Sequence, residues 1–144
     1  MLMSTSIYPC LWFDGKAQEA AEFYKSIFSS FKILSENPMV IIFEINGTKL
    51  MGLNGGPMFT FSEAISLVIE CKNQKEIDYY WEKLGQDGKE NRCGWLIDKF
   101  GLSWQIIPSD LVKLMSNPET APKVDQALMP MIKIDIATLY AAIN

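Results

Sequence analysis

The chain has 144 residues, 49% of them hydrophobic and 21% charged, so it is long enough to bury a core and too apolar for disorder. A net charge of −4 without any Lys/Arg cluster excludes a nucleic-acid binder, and no apolar run approaches the roughly 20 residues of a membrane span. Histidine is absent, which removes Ser-His and Cys-His nucleophile pairs, imidazole acid–base chemistry and every His-containing metal site.

Ile7 to Phe13 is predicted as the first strand, with Tyr8, Cys10 and Trp12 on one face and Ile7, Leu11 and Phe13 on the other. Asp14-Gly15 breaks it, and Asp14 stands where it can help cap the next helix. Lys16 to Phe28 repeats apolar residues at helical spacing: Ala17, Ala20, Ala21, Tyr24 and Phe28. Phe31 to Leu34 starts another strand, closed by Glu36-Asn37-Pro38. Val40 to Asn54 reads as a hairpin around Asn46-Gly47, a two-residue turn signal. Gly55-Gly56-Pro57 ends this half, and Met58 to Glu63 is expected to cross to the next.

The second half repeats the order. Ile65 to Cys71 is a strand, with Ser66, Val68 and Glu70 on one face. Asn73 followed by Glu76 has capping-box spacing before a helix from Gln74 to Leu84 that buries Ile77, Tyr80, Trp81 and Leu84. A short strand is expected near Lys89 to Arg92. Cys93 to Pro108 then forms a second hairpin, reversing at Gly101, with Asp98 and Lys99 expected in solvent. On its second strand Trp104 and Ile106 face one way, Ser103, Gln105 and Ile107 the other. Superposing Ala20 on Ile77 sets Phe23 on Tyr80, Tyr24 on Trp81 and Ile27 on Leu84, so the halves share apolar faces with almost no identity.

These patterns predict an α+β protein: one domain over 1–144, built from paired βαβββ modules at 1–57 and 64–108. The two modules are expected to join in one curved sheet, concave toward a ligand cup. A helical extension fills 109–144, from stretches at Ser109 to Met115, Ala121 to Met131 and Ile134 to Ile143, separated by Asn117-Pro118 and Met129-Pro130. Cys10, Cys71 and Cys93 are odd in number and lack CxxC spacing, which favours reduced thiols in the cytoplasm.

The segments Pro9 to Gly15, Leu53 to Pro57 and Cys93 to Pro108, with the tail Lys133 to Ile136, resemble the PhnB-like family. That family is also labelled the 3-demethylubiquinone-9 3-methyltransferase domain family, within the glyoxalase/bleomycin-resistance/dioxygenase (vicinal oxygen chelate) superfamily. The resemblance implies paired βαβββ modules and a homodimer. Metal-using members of the superfamily carry His or Glu ligands on the first and last strands of each module. Here those strands carry Cys10, Trp12, Gly52, Asn54, Ser66, Val68, Ser103 and Gln105; relatives often have His where Met58 stands. No His-ligated metal and no cofactor are therefore expected. The methyltransferase label finds no G-x-G-x-x-G turn opening a helix.

Ligand-binding candidates are Cys10, Trp12, Asn54, Ser66, Glu70, Ser103 and Gln105. For Cys10 and Trp12 an aromatic wall of the core is the competing reading. For Asn54 it is a strand-ending turn, against a role beside an anion-binding nest of Gly55-Gly56. Glu70 is the one candidate general base, against a solvated strand end. The expected function is binding of a small organic molecule, with a lyase, isomerase or dioxygenase on a small oxygenated substrate as the alternative, and sequestration without turnover as a third reading.

Overall fold

The computed structural model describes residues 4–144. They form two compact units that divide between Thr60 and Phe61, inside the segment expected to cross between halves. Among the described residues the strands hydrogen-bond within each unit, giving two four-stranded sheets where the sequence reading expected one curved sheet.

The first unit runs β1 (Cys10–Phe13), α1 (Ala17–Ile27), β2 (Phe31–Glu36), β3 (Val40–Ile45) and β4 (Thr48–Asn54), with sheet order β1-β4-β3-β2. β1 pairs parallel with β4, while β4–β3 and β3–β2 are antiparallel. The β3–β4 reversal takes Asn46 at φ 49° and Gly47 at φ 85°, the left-handed pair that a two-residue hairpin needs. Leu11, Phe13, Ile41, Phe43, Ile45 and Leu50 pack under Ala17, Ala20, Ala21, Tyr24 and Ile27 of α1. Tyr24 and Phe43 are each fully buried, their rings 6.4 Å apart.

The cap of α1 differs from the sequence expectation. Asp14 is exposed and Lys16 occupies the N-cap without a side-chain bond. The orphan Ala17 N–H instead donates to Asn54 Oδ1 at 2.8 Å, a cap supplied from the end of β4. Asn54 Nδ2 donates to Gln18 Oε1 and to the Pro38 carbonyl, so one amide ties helix, strand and turn together.

The second unit repeats the topology with β5 (Ser66–Cys71), α2 (Gln74–Leu84), β6 (Lys89–Glu90), β7 (Trp95–Ile97) and β8 (Ser103–Pro108), in the order β5-β8-β7-β6. α2 has the local cap its sequence announces: Asn73 Oδ1 accepts from Glu76 N–H, and Glu76 Oε2 accepts from Lys72 N–H. Helix residues Ile77, Trp81 and Leu84 are buried, as are Leu96, Trp104 and Ile106 of the sheet; Tyr80 is only half-buried.

Asp98 overturns its expected place in solvent. It is 2% exposed, and its Oδ1 accepts from the Phe100 and Leu102 N–H groups while Oδ2 accepts from Trp104 Nε1 at 2.9 Å. The carboxylate replaces water with three donors, which is what permits its burial.

The tail forms α3 (Leu111–Ser116), α4 (Ala121–Leu128) and α5 (Ile136–Ile143). Hydrogen bonds and an ion pair fasten it to the second module. Gln74 donates to the Ile134 carbonyl and accepts from Ile136 N–H. Lys133 bridges Asp78 at 2.8 Å, and Cys93 and Gly94 N–H donate to the Met131 and Ile132 carbonyls. Ile134 and Leu139 are buried. No helix of the described residues is long and apolar enough to cross a membrane.

Candidate ligand-binding site

Each sheet has one face under its helix and one face that its helix does not cover, and strand register sorts the candidates between them. In the first unit Cys10 lies opposite Met51 and Trp12 opposite Leu53, which in turn face Ile42 and Val40. Paired residues share a face, so these six side chains make one apolar patch away from α1, and neither Cys10 nor Trp12 is in the helix-side core. Asn54 pairs with Phe13 on the helix side, apart from that patch.

Trp12 is held in place by the glycine loop. Its Nε1 donates to the Gly56 carbonyl at 2.9 Å, and Phe59 meets its ring edge-on at 4.9 Å. A Cβ on Gly55 would lie 2.3 Å from the indole, so only glycine fits there. The Gly55 N–H donates to the Phe13 carbonyl, leaving Gly55-Gly56 as a seat for Trp12 rather than an anion nest. Cys10 sits at the exposed start of its strand, and such burial as it has raises its thiol above the ordinary value, away from thiolate chemistry. Burial, with Glu76 adding to it, pushes Cys71 up to about 12.

In the second unit two neighbouring cross-strand rows carry the polar candidates. One runs Lys89, Ile97, Ser103, Ser66; the other runs Trp95, Gln105, Val68. Glu70 follows on the same face, opposite Ile107, and is exposed. Gln105 Nε2 donates to Ser66 Oγ at 2.9 Å across β8 and β5. Ser103 is 1% exposed, and its hydroxyl has no hydrogen-bond partner among the described residues. Trp104, one residue on, is 2% exposed on the helix side and bonded to Asp98. Ser66, Ser103 and Gln105 are thus brought together, with Glu70 further along β5, while Cys10 and Trp12 share the face of the other sheet. Trp95 was not among the candidates; its register opposite Gln105, set by the Asp98–Gly101 reversal, puts its half-buried indole on this face.

The metal implied by the superfamily finds a poor donor set here. Ser66 and Gln105 bond each other, and the Asn54 amide holds α1. Among the described residues no three His, Cys, Asp or Glu side chains are grouped as a metal site would need.

The family model for 3-demethylubiquinone-9 3-methyltransferase matches residues 5–107, stopping before α3, so the tail segment Lys133 to Ile136 lies outside it. A PhnB protein from Bacillus cereus bearing the same methyltransferase label is 34% identical, with a TM-score of 0.64 over 72% of this chain and 99% of that one. A protein from Pseudomonas aeruginosa aligns at 18% identity and a TM-score of 0.60, covering 73% and 98%. The Listeria monocytogenes fosfomycin resistance protein FosX, solved with Mn(II) and sulfate, aligns at 12% identity and a TM-score of 0.60, covering 79% and 97%. No curated protein matches the chain. With the fold of the glyoxalase/bleomycin-resistance type and a family match over both βαβββ modules, the chain belongs to the 3-demethylubiquinone-9 3-methyltransferase (PhnB-like) family.

Proposed function

We propose that this protein binds a small organic molecule on the face of its second-module sheet away from α2, with Ser66, Ser103 and Gln105 holding the polar end and no His-ligated metal taking part. The observation that supports it is the Ser103 hydroxyl, buried and without a partner beside the Gln105–Ser66 pair. A buried group left unsatisfied costs about 1–3 kcal/mol, and native proteins tolerate that where a bound group completes the bond. Half-exposed Trp95 and exposed Val68 flank Gln105, so polar groups sit among apolar ones as small-molecule sites require. The apolar patch of the first sheet around Cys10 and Trp12, on the face away from α1, is the second surface suited to an organic ligand.

A melting-temperature screen of small oxygenated molecules tests this reading. A ligand should raise the Tm of the parent and raise that of Ser103→Ala much less; a ligand that stabilises both equally binds elsewhere. Following the hit at stoichiometric and at catalytic protein separates binding from turnover. Loss in excess of the protein, abolished by Glu70→Gln, would favour the lyase, isomerase or dioxygenase alternative with Glu70 as base. About one Zn, Mn, Ni or Fe per purified chain, lost on Glu70→Ala or Gln105→Ala, would overturn the metal-free part.

The molecule acts as a cytoplasmic homodimer in this reading. Support for the dimer comes from β2, an edge strand exposed beyond Phe31 with Ile33 and Leu34 in solvent, an edge that a second copy would cover. Light scattering that returns the mass of one chain across micromolar concentrations would count against it. Three unpaired cysteines suit a reducing compartment.

A further inference from the structure

The buried part of this site offers hydrogen bonds and no charge, and that combination selects among ligands; the inference rests on the binding reading above. Ser66, Ser103 and Gln105 have neutral side chains. Their one mutual bond leaves the Gln105 carbonyl oxygen as an acceptor and the Ser66 and Ser103 hydroxyls as donors. Charged residues on this face stand on the two outer strands, Lys89 on β6 and Glu70 on β5, and both are exposed. Lys89 lies two strands from Ser103, roughly 9–10 Å between backbones.

An anion brought down to the Ser103 hydroxyl would leave water without a cation beside it on β8 or its neighbours β5 and β7, and an unpaired buried charge is the least tolerated guest of a protein interior. Glu70 on the adjoining strand adds repulsion. A neutral group with one acceptor and one donor, such as a primary amide, meets no such penalty. Its carbonyl accepts from Ser103, its N–H donates to the Gln105 carbonyl, and an attached flat apolar body lies against Trp95, in register with Gln105. We propose that the second-module sheet takes uncharged molecules carrying a paired hydrogen-bond donor and acceptor, the primary amide being the simplest, and discriminates against the corresponding anions.

Benzamide and benzoate share one shape and differ in charge, which makes them the probes. Ligands of this size bind at about 1 mM in a favourable site, within reach of amide chemical-shift titration of the full chain. Benzamide should shift the backbone amides of Ser66, Ser103 and Gln105, with benzoate at least about tenfold weaker at the same amides. Ser103→Ala, which removes a buried unpartnered hydroxyl and so should hold or raise the melting temperature, should weaken benzamide several-fold and leave benzoate unchanged; Ser66→Ala serves as the second variant. Benzoate binding these amides as tightly as benzamide overturns the charge selection while the ligand site stands. Benzamide affinity unmoved by both variants removes Ser103 and Ser66 from the contact and overturns the proposal. Neither probe moving these amides at about 10 mM overturns the proposal, and the binding reading is then decided by the melting-temperature screen of parent and Ser103→Ala.

Discussion

The two modules share a topology and differ in what they place on the same positions. Phe13 and Cys71 end the first strands, and the carbonyl of each accepts the N–H that follows the last strand, from Gly55 and from Ser109. Counting back from that shared bond sets Trp12 against Glu70, Met51 against Gln105 and Asn54 against Pro108. Away from strand ends such as Asn54 and Glu90, the helix-side residues are apolar in both, because both must pack under a helix. The opposite faces have diverged: the first is aromatic and aliphatic around Cys10 and Trp12, with a charged row Lys32, Glu44, Lys49 beyond, and the second sets amide, hydroxyl and carboxylate among Trp95, Val68 and Ile107. The fold therefore repeats where packing under a helix demands it, and the modules differ in the half of each strand that the helix does not cover.

The sharpest way to break the comparison is at the hairpin turns. The first turn depends on backbone shape, at Asn46 and Gly47; the second is closed by the buried Asp98 carboxylate. Asp98→Ala strands the Leu102 N–H and the Trp104 indole N–H in the core, at about 1–3 kcal/mol each. Gly47→Ala adds a side chain with nothing within 4 Å of it and carries only the left-handed penalty of about 1–2 kcal/mol. Urea denaturation of both variants checks the order, and equal losses would mean that Asp98 is solvated in solution.

A smaller difference separates the seats of the two first strands. Gly55→Ala drives a methyl into the Trp12 ring, so it should cost about 1–3 kcal/mol and shift indole fluorescence. The helix caps give the least effect. Asn73→Ala removes one local cap, about 1 kcal/mol. Asn54→Ala removes the α1 cap together with the bonds to Gln18 and Pro38, and should cost more than Asn73→Ala in the same melting experiment. A reversed order would show that the long-range amide bonds are not maintained in solution.

That pair of caps also shows what could be read from the chain. Asn73 and Glu76 are three residues apart, and their spacing alone marks the start of α2. Asn54 caps a helix 37 residues earlier, and nothing near Ala17 records it; Asp14, the local candidate, is in solvent. Asp98 was misplaced for the same reason, since a carboxylate in a turn is ordinarily hydrated until the fold brings three donors to it. Alternation separated Gln105 from Trp104 without any structure, because adjacent strand residues cannot share a face. It could not show that β5 lies parallel to β8 with Ser66 level with Ser103, nor that Trp95 stands opposite Gln105. Those registers depend on contacts distant in sequence. The joining of strands into two separate sheets was equally beyond a pattern of apolar residues.

The central claim is that Gln105 belongs to the ligand and Trp104 to the core, and one paired measurement tests it: urea denaturation and benzamide titration of Gln105→Leu and Trp104→Ala. Trp104→Ala should lose about 3–5 kcal/mol of stability through the cavity it leaves. Gln105→Leu should unfold at nearly the parent's urea midpoint and lose the benzamide-induced shifts at Ser66 and Ser103. A Gln105→Leu protein that unfolds while Trp104→Ala stays stable, or one that binds benzamide like the parent, would contradict the account.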